Sequence, residues 1–326
     1  MKMKLIDLHC DTIMYFYRGG HLDGAQGTHI SLSKLRQGEC MAQCFAIYVP
    51  TYDAAVRFGT TDTPEEYFEA AYRAYLRELE LCRDEIRPAL CVEDILRNDA
   101  QGLMSAVLTV EDCVTLDGDL EKLDDYYRKG VRMAALTWNY ENSLGYPQDP
   151  TGRLNMMGLK PFGIEAVRKM NALGIAVDVS HLSEGGFWDV ANYSERPFLA
   201  SHSCCRSYRD IPRNLTDRQI RAIGDAGGVI GVNFAADFLR DVADRNTDRF
   251  TSAALVVKHL RHIVNVGGLA AAAIGSDHDG IHSDLEWKDH GGLQKLVRAI
   301  EKEFTPRETE LICSGNALRA FRDIIG

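Results

Sequence analysis

Six side chains that can bind a metal or move a proton stand where apolar runs of this sequence end. They are His9 and Asp11 in LIDLHCD, Glu111 in TVED, His181 in DVSH, His202 in ASHS and Asp277 in GSD. In a strand, residues two apart share a side, so His9 and Asp11 project together. An imidazole and a carboxylate are two of the ligands that a zinc-like ion takes. If the other run ends meet them, the result is a two-metal site. His9 and Asp11 would serve one ion and His181 and His202 the other, with the two oxygens of Glu111 bridging ions about 3.5 Å apart. Asp277 is then left to take a proton from a metal-bound water and hand it to a leaving amine. Imidazole and carboxylate donors without thiolates point to two Zn2+, and Mn2+ or Co2+ suit the same donors.

The remaining histidines divide by position. His259 and His262 lie three apart on a helix, KHLRHIV, facing the barrel's outside or the helix packing, and read as structural. His278 and His282 follow Asp277 in SDHDGIHSD and are expected near the pocket; His21, His29 and His290 have no strand-end placement and read as surface or loop residues. Asp279 competes with Asp277 for the proton-transfer role, and Asp277 is preferred because it directly follows the apolar run. Asp178, inside DVSH, is placed to orient a ligand from behind.

Positioning these groups requires strands that end at one mouth. Eight apolar or β-branched runs recur, over residues 4–9, 41–49, 105–112, 131–138, 174–181, 197–202, 227–234 and 271–277, each followed by a helical pattern. That alternation predicts an α/β fold, a (β/α)8 TIM barrel, whose catalytic groups gather at the C-terminal ends of the strands. Thr63-Pro64-Glu65-Glu66 and Thr305-Pro306-Arg307-Glu308 each order a cap, a first-turn proline and a capping-box glutamate, and Thr216 with Gln219 repeats the box. The loops NYENSLGYPQDPTGRLNMMG, AADFLRDVADRNTDRF and HDGIHSDLEWKDHGG are expected to roof the pocket. A length of 326 residues without a linker or repeat is read as one barrel over residues 1–326.

A net charge of −10 argues against nucleic acid or an anionic membrane as partner, since either calls for a basic patch. Nine scattered cysteines lack a paired framework, and neither Cys40 with Cys44 nor Cys204 with Cys205 has the second half of a zinc site. Reduced thiols in a cytoplasm are expected.

The ordered set DLHCDT, LSKLRQGECMAQCFAIYVP, TVED, DVSH, SHS, Arg213-Asn214 and GSDHDG resembles the membrane (renal) dipeptidase family over nearly the whole chain. The resemblance implies a (β/α)8 binuclear zinc hydrolase with the ligands and proton carrier assigned above. It also implies that Arg213, eleven residues after His202, grips the free carboxylate of a dipeptide beside Asn214. One position departs: animal members carry Leu-Thr-His after the fourth run, where this chain reads LTWN. Trp138 then stands in place of an imidazole, and the oxyanion falls to its N–H, to Asn139 or to the metal. The animal members are also secreted and lipid-anchored, whereas this chain shows neither a leader nor an apolar tail, so a cytoplasmic bacterial-type relative is expected.

The expected activity is hydrolysis of dipeptides by a hydroxide bridging two zincs, with tolerance of a D-residue at the C-terminal position implied by the resemblance. The alternative is another amidohydrolase-type metal hydrolase acting on N-acyl amino acids or lactones. The partner is a small dipeptide, and a homodimer is the assembly such barrels commonly form.

Overall fold

A computed structural model describes residues 2–24, 27–51, 55, 59–240 and 249–326. Eight parallel strands form its centre: β1 (Leu5–Cys10), β2 (Cys40–Tyr48), β3 (Met104–Glu111), β4 (Val131–Ala135), β5 (Ala176–Asp178), β6 (Ala200–Ser203), β7 (Ile230–Val232) and β8 (Ala272–Ile274). Their order is β5-β4-β3-β2-β1-β8-β7-β6. The ring closes between β5 and β6, where Val179 N–H donates to Leu199 O at 2.8 Å and Leu199 N–H to Val177 O at 3.0 Å. This is the (β/α)8 barrel the sequence predicts.

Every residue of these strands is buried, which is why they read as continuous apolar runs and do not alternate. Ile6, Leu8, Ala42, Cys44, Val107, Met133, Ala176 and Ala273 fill the interior, and Phe321 and Ile324 of the helix Asn316–Ile325 join that cluster. The cylinder is therefore a packed core and only its other mouth is open to chemistry. Where β6, β7 and β8 converge, a Cβ on Gly275 would lie 1.8 Å from Ser201 O and one on Gly231 2.1 Å from it, so both positions require glycine.

The capping boxes at Thr63, Thr216 and Thr305 are all formed, starting helices Pro64–Leu81, Asp217–Asp225 and Pro306–Glu310. Four strands stop before the C-terminal end of their apolar runs. β4 stops at Ala135, β5 at Asp178, β7 at Val232 and β8 at Ile274, because the chain turns out of the sheet to present its terminal side chains. A three-residue strand, Ile86–Pro88, pairs with Met104–Ala106 and has no counterpart in the sequence reading. Two of its three residues are exposed, so it carries no apolar signal. Of the three expected roof loops, the one after β7 lies partly outside the described residues, at 241–248.

Candidate metal centre

At the C-terminal mouth, Glu111 stands between two sets of side chains. Its Oε2 lies 3.8 Å from His9 Nε2, while its Oε1 lies 3.1 Å from His181 Nε2 and 3.4 Å from His202 Nε2. His9 Nε2 is also 3.5 Å from Asp11 Oδ2 and 4.0 Å from Asp277 Oδ1. His9 and His202 stack with ring centroids 3.8 Å apart, so the two sets are contiguous. All six residues predicted from strand ends thus meet at one place.

The backbone that delivers them is unusual. His181 and Asp277 hold φ of 68° and 59°, a left-handed conformation in which non-glycine residues are uncommon. Hydrogen bonding continues past β1 and β8, with Asp277 N–H donating to His9 O at 3.2 Å and Asp11 N–H to His278 O at 2.9 Å. These bonds fix the two strand tips side by side.

Second partners set which ring nitrogens are free. The Ser201 hydroxyl donates to Asp178 Oδ2, so its oxygen accepts from His202 Nδ1 at 2.7 Å. His181 Nδ1 meets Asn139 Oδ1 at 3.0 Å and likewise donates. Both Nε2 atoms therefore present lone pairs, yet they lie 2.9 Å apart. Together with Oε1 of Glu111 in its ionised form they make three acceptors converging with no hydrogen between them. Such an arrangement repels itself unless a cation occupies its centre. On the other side, His9 Nε2 and Asp11 Oδ1 are buried without a hydrogen-bond partner. The donors present fit divalent metal on both sides of Glu111.

Electrostatics agree. Burial pushes the His181 and His202 imidazoles well below their usual range, keeping them neutral and ligand-competent. Burial opposes charge on His9 too, but Asp11 and Glu111 beside it outweigh that and carry it up to about 10. Burial, reinforced by Asp11, drives the Glu111 carboxyl far upward and lifts Asp277 to about 7. Three buried carboxylates crowded together call for positive charge, which a metal supplies better than a proton on His9.

A cavity of about 390 Å³ opens onto this cluster, lined by Asp11, Glu111, His181 and Asp277 and also by Tyr48, Trp138, Asn139, Phe238, Arg249 and His282. The Trp138 ring packs edge-on to Tyr48 at 4.8 Å and lies 6.2 Å from His181, so it forms a wall beside the cluster. Asn139 lines the cavity while orienting His181. Arg213 is buried just behind the cavity wall, donating to Ser203 Oγ at 2.9 Å and His202 O at 2.8 Å, with its Nε unpartnered. Its guanidinium lies 5.4 Å over the Phe238 ring, and among the described residues no carboxylate lies within 4 Å of it. Asn214 is turned to backbone, donating to Arg209 O at 3.0 Å and Phe238 O at 2.8 Å, and so holds the Arg213 segment in place.

Several expectations need correction. His290 is fully buried and is not a surface residue. His278 faces away from the cavity, into a closed space with His290, whereas His282 does line the cavity. Asp279 accepts from Thr12 Oγ1 at 2.7 Å and from His29 N–H, which occupies both its oxygens. His259 is structural as expected, since Nδ1 accepts from Cys205 N–H at 3.0 Å and Nε2 donates to Leu239 O at 2.9 Å. All nine cysteines are free. The sequence reading missed Asn233, whose Nδ2 donates to Asp277 Oδ2 at 2.7 Å. Its place at the end of the seventh apolar run was the available signal.

A closed parallel barrel with imidazoles and carboxylates gathered at its C-terminal mouth defines the class of barrel metallohydrolases. The profile of the membrane dipeptidase family (Peptidase family M19) matches residues 1–325. The chain belongs to that family and is a metal-dependent dipeptidase by class. It is 37% identical over 222 residues, 66% of this chain and 80% of the other, to an uncharacterized protein in the pqqA 5′ region of Klebsiella pneumoniae. To an uncharacterized dipeptidase of Schizosaccharomyces pombe it is 32% identical over 266 residues, covering 78% of this chain and 61% of that one. A crystal structure of a metallo peptidase from Rhodobacter sphaeroides, liganded with a phosphinate mimic of L-Ala-D-Ala, superposes with a TM-score of 0.90 at 25% identity, over 99% of this chain and 100% of that one.

Proposed function

We propose that the chain hydrolyses dipeptides with two zinc ions, one held by His9 and Asp11 and the other by His181 and His202, with Glu111 bridging. The observation that carries this reading is the division of Glu111: one carboxylate oxygen faces His9 and the other faces the His181–His202 pair. Manganese or cobalt suits the same donors. When bound, the ions acidify a water and draw electron density from the scissile carbonyl.

The chain's own groups supply the rest. Asp277, held by Asn233 at 2.7 Å and lifted by burial to about 7, takes a proton from the water and returns it to the departing amine. Arg213, a buried cation whose Nε lacks a partner, attracts the free carboxylate of the substrate and so selects two-residue peptides. Trp138, with Tyr48 and Phe238, walls the cavity and excludes water from the scissile bond. Its volume of about 390 Å³ suits a small ligand. The Rhodobacter sphaeroides relative with its phosphinate mimic of L-Ala-D-Ala supports acceptance of a D-residue at the C-terminal position.

The same reading takes residues 1–326 as one catalytic unit, supported by a family match that runs over residues 1–325. It places the protein in the cytoplasm, supported by nine unpaired thiols. Among the described residues no helix is long and apolar enough to cross a membrane. The decisive assay is a panel of L,L and L,D dipeptides with and without zinc, set beside tetrapeptides and N-acyl amino acids. Zinc-dependent cleavage confined to dipeptides is expected; equal rates on tetrapeptides, or activity that survives chelation, overturns the reading.

A further inference from the structure

Outside the mouth of the barrel, Asp7, His278 and His290 form a second closed cluster in which one ligand atom from each lies within 4.8 Å of the others. All three side chains are fully buried. Asp7 Oδ2 is 3.7 Å from His278 Nδ1 and 4.0 Å from His290 Nδ1. Both separations exceed a hydrogen bond, and both are close to the edge of about 3.4 Å that two ligands make around one tetrahedral zinc. Both nitrogens of both rings lack any hydrogen-bond partner. Buried polar atoms are almost always paired, so two unpartnered Nδ1 atoms facing one carboxylate mark a missing occupant.

We propose that this cluster is a structural site for a zinc-class divalent cation, held by Asp7, His278 and His290 and separate from the catalytic centre. Two imidazoles and one carboxylate are a common zinc donor set, and a water completes the fourth position. The carboxylate is already aimed: Ser276 donates its backbone N–H to Asp7 Oδ1 at 2.8 Å and its hydroxyl to Asp7 Oδ2 at 2.5 Å. His278 N–H donates to Ser276 Oγ at 3.1 Å. The His29 ring stacks on His278 at 5.2 Å, and the Phe234 ring lies 5.6 Å from His278 and 4.8 Å from Trp287. The Trp287 indole N–H, on the far side of Phe234, is also buried without a partner.

The site has a mechanical consequence. His290 opens the turn His290–Gly292, packed so closely on Gly38 that a Cβ there would lie 2.4 Å from His290 O. An ion shared with Asp7 and His278 pins that turn to the middle of β1 and to the segment that follows β8. Asp7 is two residues before His9 and His278 is one after Asp277, so the ion braces the catalytic mouth from outside the barrel wall.

Crystals of the full chain grown with zinc, measured on both sides of the zinc absorption edge, test this directly and separately from the catalytic site. An anomalous peak about 2.0–2.2 Å from Asp7, His278 and His290 is expected, whatever the map shows at Glu111. In parallel, elemental analysis of His290→Gln should give one zinc per chain fewer than the parent, with unchanged circular dichroism. Its thermal midpoint in zinc should fall below that of the parent in zinc, while the two proteins should melt alike once chelated. A peak-free site filled by ordered water, or equal metal content in His290→Gln and the parent, overturns the proposal.

Discussion

The hydroxyl of Ser201 joins Asp178 to His202: it donates to the carboxylate and accepts from the ring Nδ1 at 2.7 Å. Direction matters here as much as distance. Because Asp178 can only accept, the serine proton points toward it and the serine lone pair toward the imidazole. The ring must then carry its proton on Nδ1, leaving Nε2 as the atom that faces Glu111. The tautomer of His202 is thus set by a carboxylate that does not line the cavity.

Asp178→Asn reverses this relay, because a carboxamide donates to the serine and turns the serine proton toward His202. Metal affinity should fall by about 10–100-fold, the range typical of outer-sphere partners. Titration of the chelated protein with zinc measures it. Activity is expected to recover at higher zinc, and an unchanged dissociation constant would remove Asp178 from the relay.

Glu111→Gln keeps the shape of the proposed bridge and removes its charge. The loss in kcat at saturating substrate should exceed about 100-fold, more than an outer-sphere change produces, with metal content reduced in the same sample. Full metal occupancy with near-normal kcat would show that the two sides do not share this residue.

Arg213→Ala should lower kcat/KM on dipeptides by about 10²–10³-fold, matching about 3–4 kcal/mol for a charge-assisted, bidentate contact. Dipeptide amides, which lack the carboxylate, separate binding from folding: the parent should handle them poorly and the variant should lose little more. A variant that loses both substrates equally has lost the support Arg213 gives to Ser203 and to the His202 backbone.

Burial, only partly offset by the bond to Leu239 O, holds the His259 imidazole down at about 4. Its unfolded value is near 6.5, so the unfolded chain binds more protons between those limits and stability rises with pH across them. The contribution is complete above about pH 6.5 and is lost as pH falls through about 4. Roughly 3 kcal/mol is at stake over that window. Urea midpoints of the chelated protein at pH 7 and 4.5 should differ accordingly, with His259→Gln flattening the dependence. Equal slopes in both proteins would assign the acid sensitivity elsewhere.

The sequence by itself determined the barrel and the six residues at its mouth. Buried parallel strands leave continuous apolar runs, capping boxes mark helix starts within a few residues, and an imidazole or carboxylate ending an apolar run stands out in one dimension. Asp7 and His290 did not stand out, because one lies inside such a run and the other in a loop, and only folding brings them to the same closed space. The same holds for Asn233 on Asp277, for Asn139 on His181 and for the opposed Nε2 atoms of His181 and His202. Tertiary structure decided these, since hydrogen-bond direction and the separation of atoms from distant strands depend on barrel closure, which no local pattern encodes.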